Sequence, residues 1–195
     1  MITNLENKLK FIELVDEMKN IYRTISLKSG RKENDAEHTF HLAIMCFVFL
    51  DDFPFLNQEK VIKLALLHDI VEIFAGDTYV YDDNMLSTKK QRELDSLAKI
   101  EEILGKEEFQ KFKILIEEYE EKTTNEAKFV SQLDKLQPII QIYMTGGKDF
   151  FEYKTDTKRL LEDKYYKINS EFGFDKILDI YFKKMKEGNM FYNEV

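Results

Sequence analysis

The amino-acid sequence predicts an all-α protein, and three observations carry that expectation. Seven Gly and two Pro among 195 residues leave little turn material for a β-sandwich or barrel. Lys, Glu, Leu and Ile dominate, and apolar residues recur three and four positions apart through most of the chain. With 44% hydrophobic residues this length can bury a substantial core, and no repeat, low-complexity tract or linker marks a boundary. One domain over 1–195 is expected, with a core at about 5–145 and a helical extension at about 150–190.

Leu5 to about Ile25 carries Leu9, Phe11, Ile12, Leu14, Val15, Met18 and Ile21 at amphipathic spacing, which predicts a first helix broken by Ser29-Gly30. Asp35 is the expected N-cap of a second helix running through His38 and His41 to about Leu50, ended by Asp51-Asp-Phe-Pro54. Asn57 would cap a third from about Gln58 to Phe74, stopped by Gly76. Residues 77–86 lack a helical period and read as a loop. Further helices are predicted at about 87–104, 107–121, 125–145, 156–171 and 174–187, separated by Gly105, Thr123-Thr-Asn125, Gly146-Gly147 and Gly173.

The net charge of −8 leaves no electrostatic footprint for a nucleic-acid polymer, although a local cation and one or two Arg residues could still hold a small phosphorylated substrate. Cys46 is the only cysteine and sits among apolar residues, so it reads as an inert buried thiol. No basic, apolar leader opens the sequence and no apolar run approaches the roughly 20 residues that span a bilayer, which makes the cytoplasm the expected compartment and a membrane partner unexpected.

Against that background, His38, the pair His68-Asp69 and Asp134 stand out as polar points in apolar helical runs. Two imidazoles and two carboxylates are a metal-ligand inventory, and burying such acids without a compensating cation costs several kcal/mol, on the order of a folding stability. On an ideal helix Asp69 and Glu72 would crowd one face, an argument for a cation between them, while His68 and Asp69 would diverge by about 100°. One ion would then sit astride the pair, completed from neighbouring helices.

These residues carry a resemblance. His38, His68-Asp69 and Asp134 within Gln132-Leu-Asp-Lys-Leu136 resemble the H…HD…D signature of the HD-domain metal-dependent phosphohydrolases, whose fold is a helical bundle. Glu37-His38-Thr39, the run from His68 through Glu72 to Gly76-Asp77, and Arg23 are similar to the 5'-deoxynucleotidase group, which removes phosphate from deoxyribonucleoside 5'-monophosphates. The resemblance implies His38, His68, Asp69 and Asp134 as ligands of one divalent metal (Mn, Co, Fe, Ni or Zn), Glu72 and Asp77 as catalytic groups, and Arg23 as a phosphate contact. Thr24 replaces a Trp found in some members, and Thr78-Tyr-Val-Tyr81 replaces their usual Pro-containing segment. Glu72 is followed by Ile73 and the chain has three histidines, which disfavours the guanosine tetraphosphate hydrolases and the cyclic-dinucleotide phosphodiesterases of the same superfamily. The competing expectation is a regulatory HD module that binds metal and nucleotide without turnover.

His41 packs or hydrogen-bonds near the site, and Arg31 and Lys32 are candidate secondary phosphate contacts. The charge runs Lys89-Lys-Gln-Arg92 and Glu117-Glu-Tyr-Glu-Glu121 read as solvated faces. The aromatic residues after Phe150 read as core or as the face of a homodimer, without chemistry of their own.

Overall fold

The computed structural model describes residues 3–78, 82–164 and 167–193. Tyr79, Val80, Tyr81, Tyr165 and Tyr166, on which some of the expectations above fall, lie outside the described residues. The fold is all-α, with one small exception among the described residues, near the N-terminus.

Helix α1 (Leu5–Val15) passes into a 3-10 turn (Asp16–Asn20), and the predicted helix goes no further. Tyr22–Ser26 instead forms strand β1, paired antiparallel with β2 (Lys32–Asn34) in the register Tyr22↔Asn34 and Ser26↔Lys32. The β-branched and aromatic run Ile21-Tyr-Arg-Thr-Ile25, followed by Ser29-Gly30, is a hairpin signal that the apparent helical period obscured. Asp149 pins this hairpin: it accepts hydrogen bonds from Ser26 N (2.9 Å), Ser26 Oγ (2.6 Å) and Lys32 Nζ (3.2 Å).

Helix α2 (Asp35–Phe49) is capped by Asn34, one residue before the expected Asp35. Asn34 Oδ1 accepts from Glu37 N, and Glu37 Oε2 accepts from Asn34 N, a reciprocal capping box. Helix α3 (Gln58–Leu67) is capped by Asn57 as expected but stops seven residues early. Residues 68–71 form tight turns with i→i+3 bonds such as Glu72 N→Asp69 O (2.9 Å), and a one-turn α4 (Glu72–Ala75) follows. Gly76 ends α4 at φ 73°, a conformation in which a Cβ is strained.

Beyond it come α5 (Asp83–Leu104), α6 (Lys106–Glu121), α7 (Asn125–Met144), α8 (Lys148–Glu152), α9 (Thr157–Lys164) and α10 (Asp175–Glu187). Helix α5 starts four residues before its predicted position, α8 lies where the sequence predicts no helix, and α9 is described over Thr157–Lys164 of the predicted 156–171. Helix α7 is the axis of the fold, packing against α2, α3, α6, α8, α10 and β1. It is accordingly buried almost all round, with Phe129, Leu133, Leu136 and Ile139 inside. Phe53, Phe129, Phe172 and Phe174 cluster beside it in edge-on and tilted contacts, which places Phe172 and Phe174 in the core as expected. A smaller apolar cluster joins Phe11 and Met18 to Ile70, Val71, Ile100 and Ile116 beneath the His68-Asp69 turn.

Candidate metal centre and its cavity

Three local features aim the four predicted ligands at one point. The capping box sets His38 one turn into α2 on its inner face, fully buried. The end of α3 leaves the Ala65 carbonyl without a helical partner, and His68 Nδ1 takes it at 2.9 Å. Helix α7 supplies Asp134, whose Oδ2 is engaged by Tyr119 OH (2.7 Å) and Lys135 Nζ (2.5 Å), leaving Oδ1 facing the histidines.

The donor atoms then crowd together. His68 Nε2 lies 2.9 Å from Asp69 Oδ2, His38 Nε2 lies 3.1 Å from Asp134 Oδ1, and the two Nε2 atoms are 3.3 Å apart. The cross distances, His38 to Asp69 and His68 to Asp134, are 3.7 and 3.8 Å. Donors bound to one ion at about 2.1 Å stand roughly 3 Å apart when adjacent, so these separations suit a shared cation. The divergence of about 100° expected for consecutive residues does not occur, because the pair sits in a tightened turn rather than in a regular helix.

A second acidic group adjoins the first: carboxylate oxygens of Asp35, Asp69 and Glu72 lie within 4.8 Å of one another. Glu72 therefore joins the acids next to the donor set, through the bend at 68–71 rather than along an uninterrupted helix face. Arg23, on β1, is the cation among them, with Nη1 at 3.0 Å from Asp69 Oδ2, 3.4 Å from Asp35 Oδ1 and 3.9 Å from Asp77 Oδ1, and Nε at 3.8 Å from Glu33 Oε2. All seven predicted site residues thus meet in one region. Six of them line a cavity of about 330 Å³, with His38 behind the wall.

The electrostatics divide these groups. Burial, with the Arg23 charge nearby, pushes His38 down to about 4, so it is a neutral imidazole able to ligate. Burial pulls on His68 too, but the Asp69 carboxylate beside it outweighs this and its pKa rises. Burial likewise opposes the charge on Asp69, yet His68 and Arg23 hold it well below the usual carboxylate range. Glu72 moves the other way: burial, then the Asp69 and Asp35 charges, push it well above its ordinary value. Burial also raises Asp77, Asp35 (to about 6) and Glu33 (to about 7).

Several functional neighbours escaped the sequence. Tyr119 belongs to a run read as solvated, yet it is buried and holds Asp134. Lys89 lines the cavity, and Arg92 grips the chain around Asp77 by donating to Ala75 O, Thr78 Oγ1 (2.7 Å) and Met85 O (3.0 Å). Lys89 and Arg92 therefore turn inward, while Lys90 and Gln91 keep the solvated face expected of the run. Arg31 and Lys32, the candidate secondary phosphate contacts, do not line the cavity: Arg31 pairs with Glu37, and Lys32 with Asp149 and Glu152. The C-terminal third also does more than expected, since Tyr153, Leu160 and Lys164 form part of the cavity wall. Pattern could have flagged Glu33 and Asp35, two acids where β2 runs into α2, but nothing local signals Tyr119.

Residues 15–174 match the model of the HD domain family. The human protein named 5'-deoxynucleotidase HDDC2 is 34% identical over 174 residues, covering 88% of this chain and 81% of that one. The Schizosaccharomyces pombe 5'-deoxynucleotidase hdd1 is 28% identical over 154 residues, 73% of this chain and 77% of its own. A crystal structure from Magnetospirillum magnetotacticum MS-1, described as a "Predicted metal-dependent phosphohydrolase", superposes with a TM-score of 0.86 at 28% identity, covering 97% of this chain and 96% of that chain. Family and neighbour imply a divalent metal, and the group His38, His68 and Asp69, with Asp134 Oδ1 3.1 and 3.8 Å from the two imidazoles, fits one. The matched span, the helical architecture and the converging His38, His68, Asp69 and Asp134 agree: this chain belongs to the HD domain family.

Proposed function

We propose that the chain is a metal-dependent phosphohydrolase that removes the 5'-phosphate from (deoxy)nucleoside monophosphates. The observation that carries this reading is the convergence of His38, His68, Asp69 and Asp134, each imidazole Nε2 lying 2.9–3.8 Å from both carboxylates, at a cavity also lined by Arg23, Glu72 and Asp77. Its volume of about 330 Å³ lies in the range of small-molecule sites. The named activity of the HDDC2 relatives supports the same substrate class.

A divalent ion held by His38, His68, Asp69 and Asp134 would supply Lewis acidity, acidifying water and drawing charge from a phosphoryl oxygen. The chain's own groups do the rest. Arg23 offers a guanidinium, fixed among acids, to the equatorial oxygens of the phosphate. Glu72, with its raised proton affinity, takes the proton of the attacking water, and Asp77 hands one to the departing 5'-oxygen. Manganese or cobalt, compatible with this donor set along with iron, nickel and zinc, is the first metal to supply.

The family match over residues 15–174 favours a single HD domain for 1–195. Phe40, Ile44, Phe47 and Val48 form an exposed apolar stripe on α2, which favours a homodimer through that face. No helix among the described residues is long and apolar enough to cross a membrane; with one buried cysteine, this accords with a cytoplasmic setting.

Phosphate release from a panel of ribo- and deoxyribonucleoside monophosphates, with and without added manganese(II), tests the reading against Asp69→Ala. Metal-dependent release that disappears in the variant is expected. Equal release by the variant refutes it, and nucleotide binding without release makes the chain a sensing module instead.

A further inference from the structure

Glu33, Gln137 and the half-buried His41 form a polar chain that the proposed chemistry leaves unused. Gln137 Oε1 lies 3.0 Å from His38 Nδ1, while Gln137 Nε2 donates to Glu33 Oε1 at 2.9 Å and lies 3.1 Å from His41 Nδ1. Gln137 and His38 are fully buried and Glu33 nearly so, where a polar side chain without a task is costly.

With Glu33 ionised, the pattern leaves one consistent proton arrangement. An amide has a donor nitrogen and an acceptor oxygen, and the nitrogen is committed to Glu33 and His41. The oxygen therefore faces His38, and because it can only accept, His38 carries its proton on Nδ1. The opposite pull is also present. Asp134 Oδ1, 3.1 Å from His38 Nε2, would draw the proton to that nitrogen and remove the lone pair a metal needs.

We propose that Gln137 is a positioning residue that locks His38 in the Nδ1–H tautomer, so that its Nε2 faces His68, Asp69 and Asp134 as a free donor. The inference rests on the metal reading above and adds to it the group that makes His38 a ligand. The sequence economises here: Gln137 lies three residues after Asp134, so one face of α7 carries both a ligand and the lock for another. His68 needs no such side chain, because the Ala65 carbonyl performs the same task at 2.9 Å. The two histidines thus differ in a testable way: one tautomer is set by backbone, the other by a replaceable side chain.

The test uses the whole metal-free chain, in which three histidines make long-range 1H–15N spectra of the imidazoles tractable. Wild type is expected to show His38 protonated at Nδ1; protonation at Nε2 overturns the inference without any variant. Gln137→Met, which keeps bulk but offers no oxygen, is expected to shift the His38 proton to Nε2, leave His68 unchanged and weaken manganese(II) binding by calorimetry about 10- to 100-fold. Gln137→Glu keeps an acceptor for Nδ1–H and, by sharing a proton with Glu33 across the former 2.9 Å contact, is expected to retain the wild-type affinity. Unchanged binding in Gln137→Met, or equal losses in both variants, overturns the lock while leaving the metal reading intact. Absence of manganese(II) binding by wild type removes both.

Discussion

Replacing Asp149 with alanine deletes one carboxylate and strands two buried donors. Ser26 N and Ser26 Oγ both give their hydrogen bonds to Asp149, and neither residue has meaningful access to water. Lys32 is less affected, because it keeps Glu152 at 3.0 Å and the Thr24 carbonyl at 2.8 Å. Two bonds to a charged acceptor at about 1.5–3 kcal/mol each set the scale, and relief of the carboxylate's own desolvation brings the expected loss to about 3–4 kcal/mol. For a chain of this size that corresponds to a fall in Tm of roughly 6–16 °C. Urea unfolding followed by circular dichroism measures it, with an unchanged m-value showing that stability rather than compactness moved. Asp149→Asn, which retains one acceptor oxygen, should lose about half as much. Because Arg23 lies three residues before Ser26 on β1, a folded Asp149→Asn protein is expected to lose phosphate release while its metal affinity holds, the four donors lying outside the hairpin. A loss below about 1 kcal/mol in Asp149→Ala would mean that Ser26 finds other partners and that the hairpin is anchored elsewhere.

Two further outcomes follow from the same contacts. Manganese(II) at a hundredfold excess over its Kd should stabilise the wild type by about 2.7 kcal/mol in thermal melts and leave His68→Ala and Asp69→Ala unmoved; a shift of the same size in both variants would place the ion elsewhere. Arg92→Ala should speed limited proteolysis near Asp77 and Thr78 and lower kcat roughly 10- to 100-fold at constant metal affinity, since it loosens the chain that carries Asp77. Unaltered cleavage and turnover would show that Arg92 does not hold that segment.

Where the sequence was legible, the signal was local. The long periods of α2, α6 and α7, the Asn57 cap and the Gly76 stop all depend on residues within a turn or two of each other, and they appear close to the predicted positions. Misreadings arose where a competing local signal or a distant partner prevailed. Ile21–Ile25 continues the apolar spacing of α1 yet pairs as a strand, because β2 and Asp149, 123 residues beyond Ser26, supply its partners. The run from Gln58 to Phe74 reads as one helix, yet it bends at 68–71 while Ile70 and Val71 turn into the cluster formed with Phe11 and Ile116.

The amino-acid sequence by itself determined the fold class, the kinds of donor and their order along the chain, because composition and residue identity need no coordinates. Only the tertiary structure decided the rest. It brought His68 and Asp69 to 2.9 Å through a tightened turn, surrounded Arg23 with four carboxylates from separate elements, and placed Tyr119 and Gln137 behind the ligands. Distances of this kind, and the proton affinities they impose, come from side chains up to about a hundred residues apart meeting in a dry interior, where each charge is felt far more strongly than it would be in water.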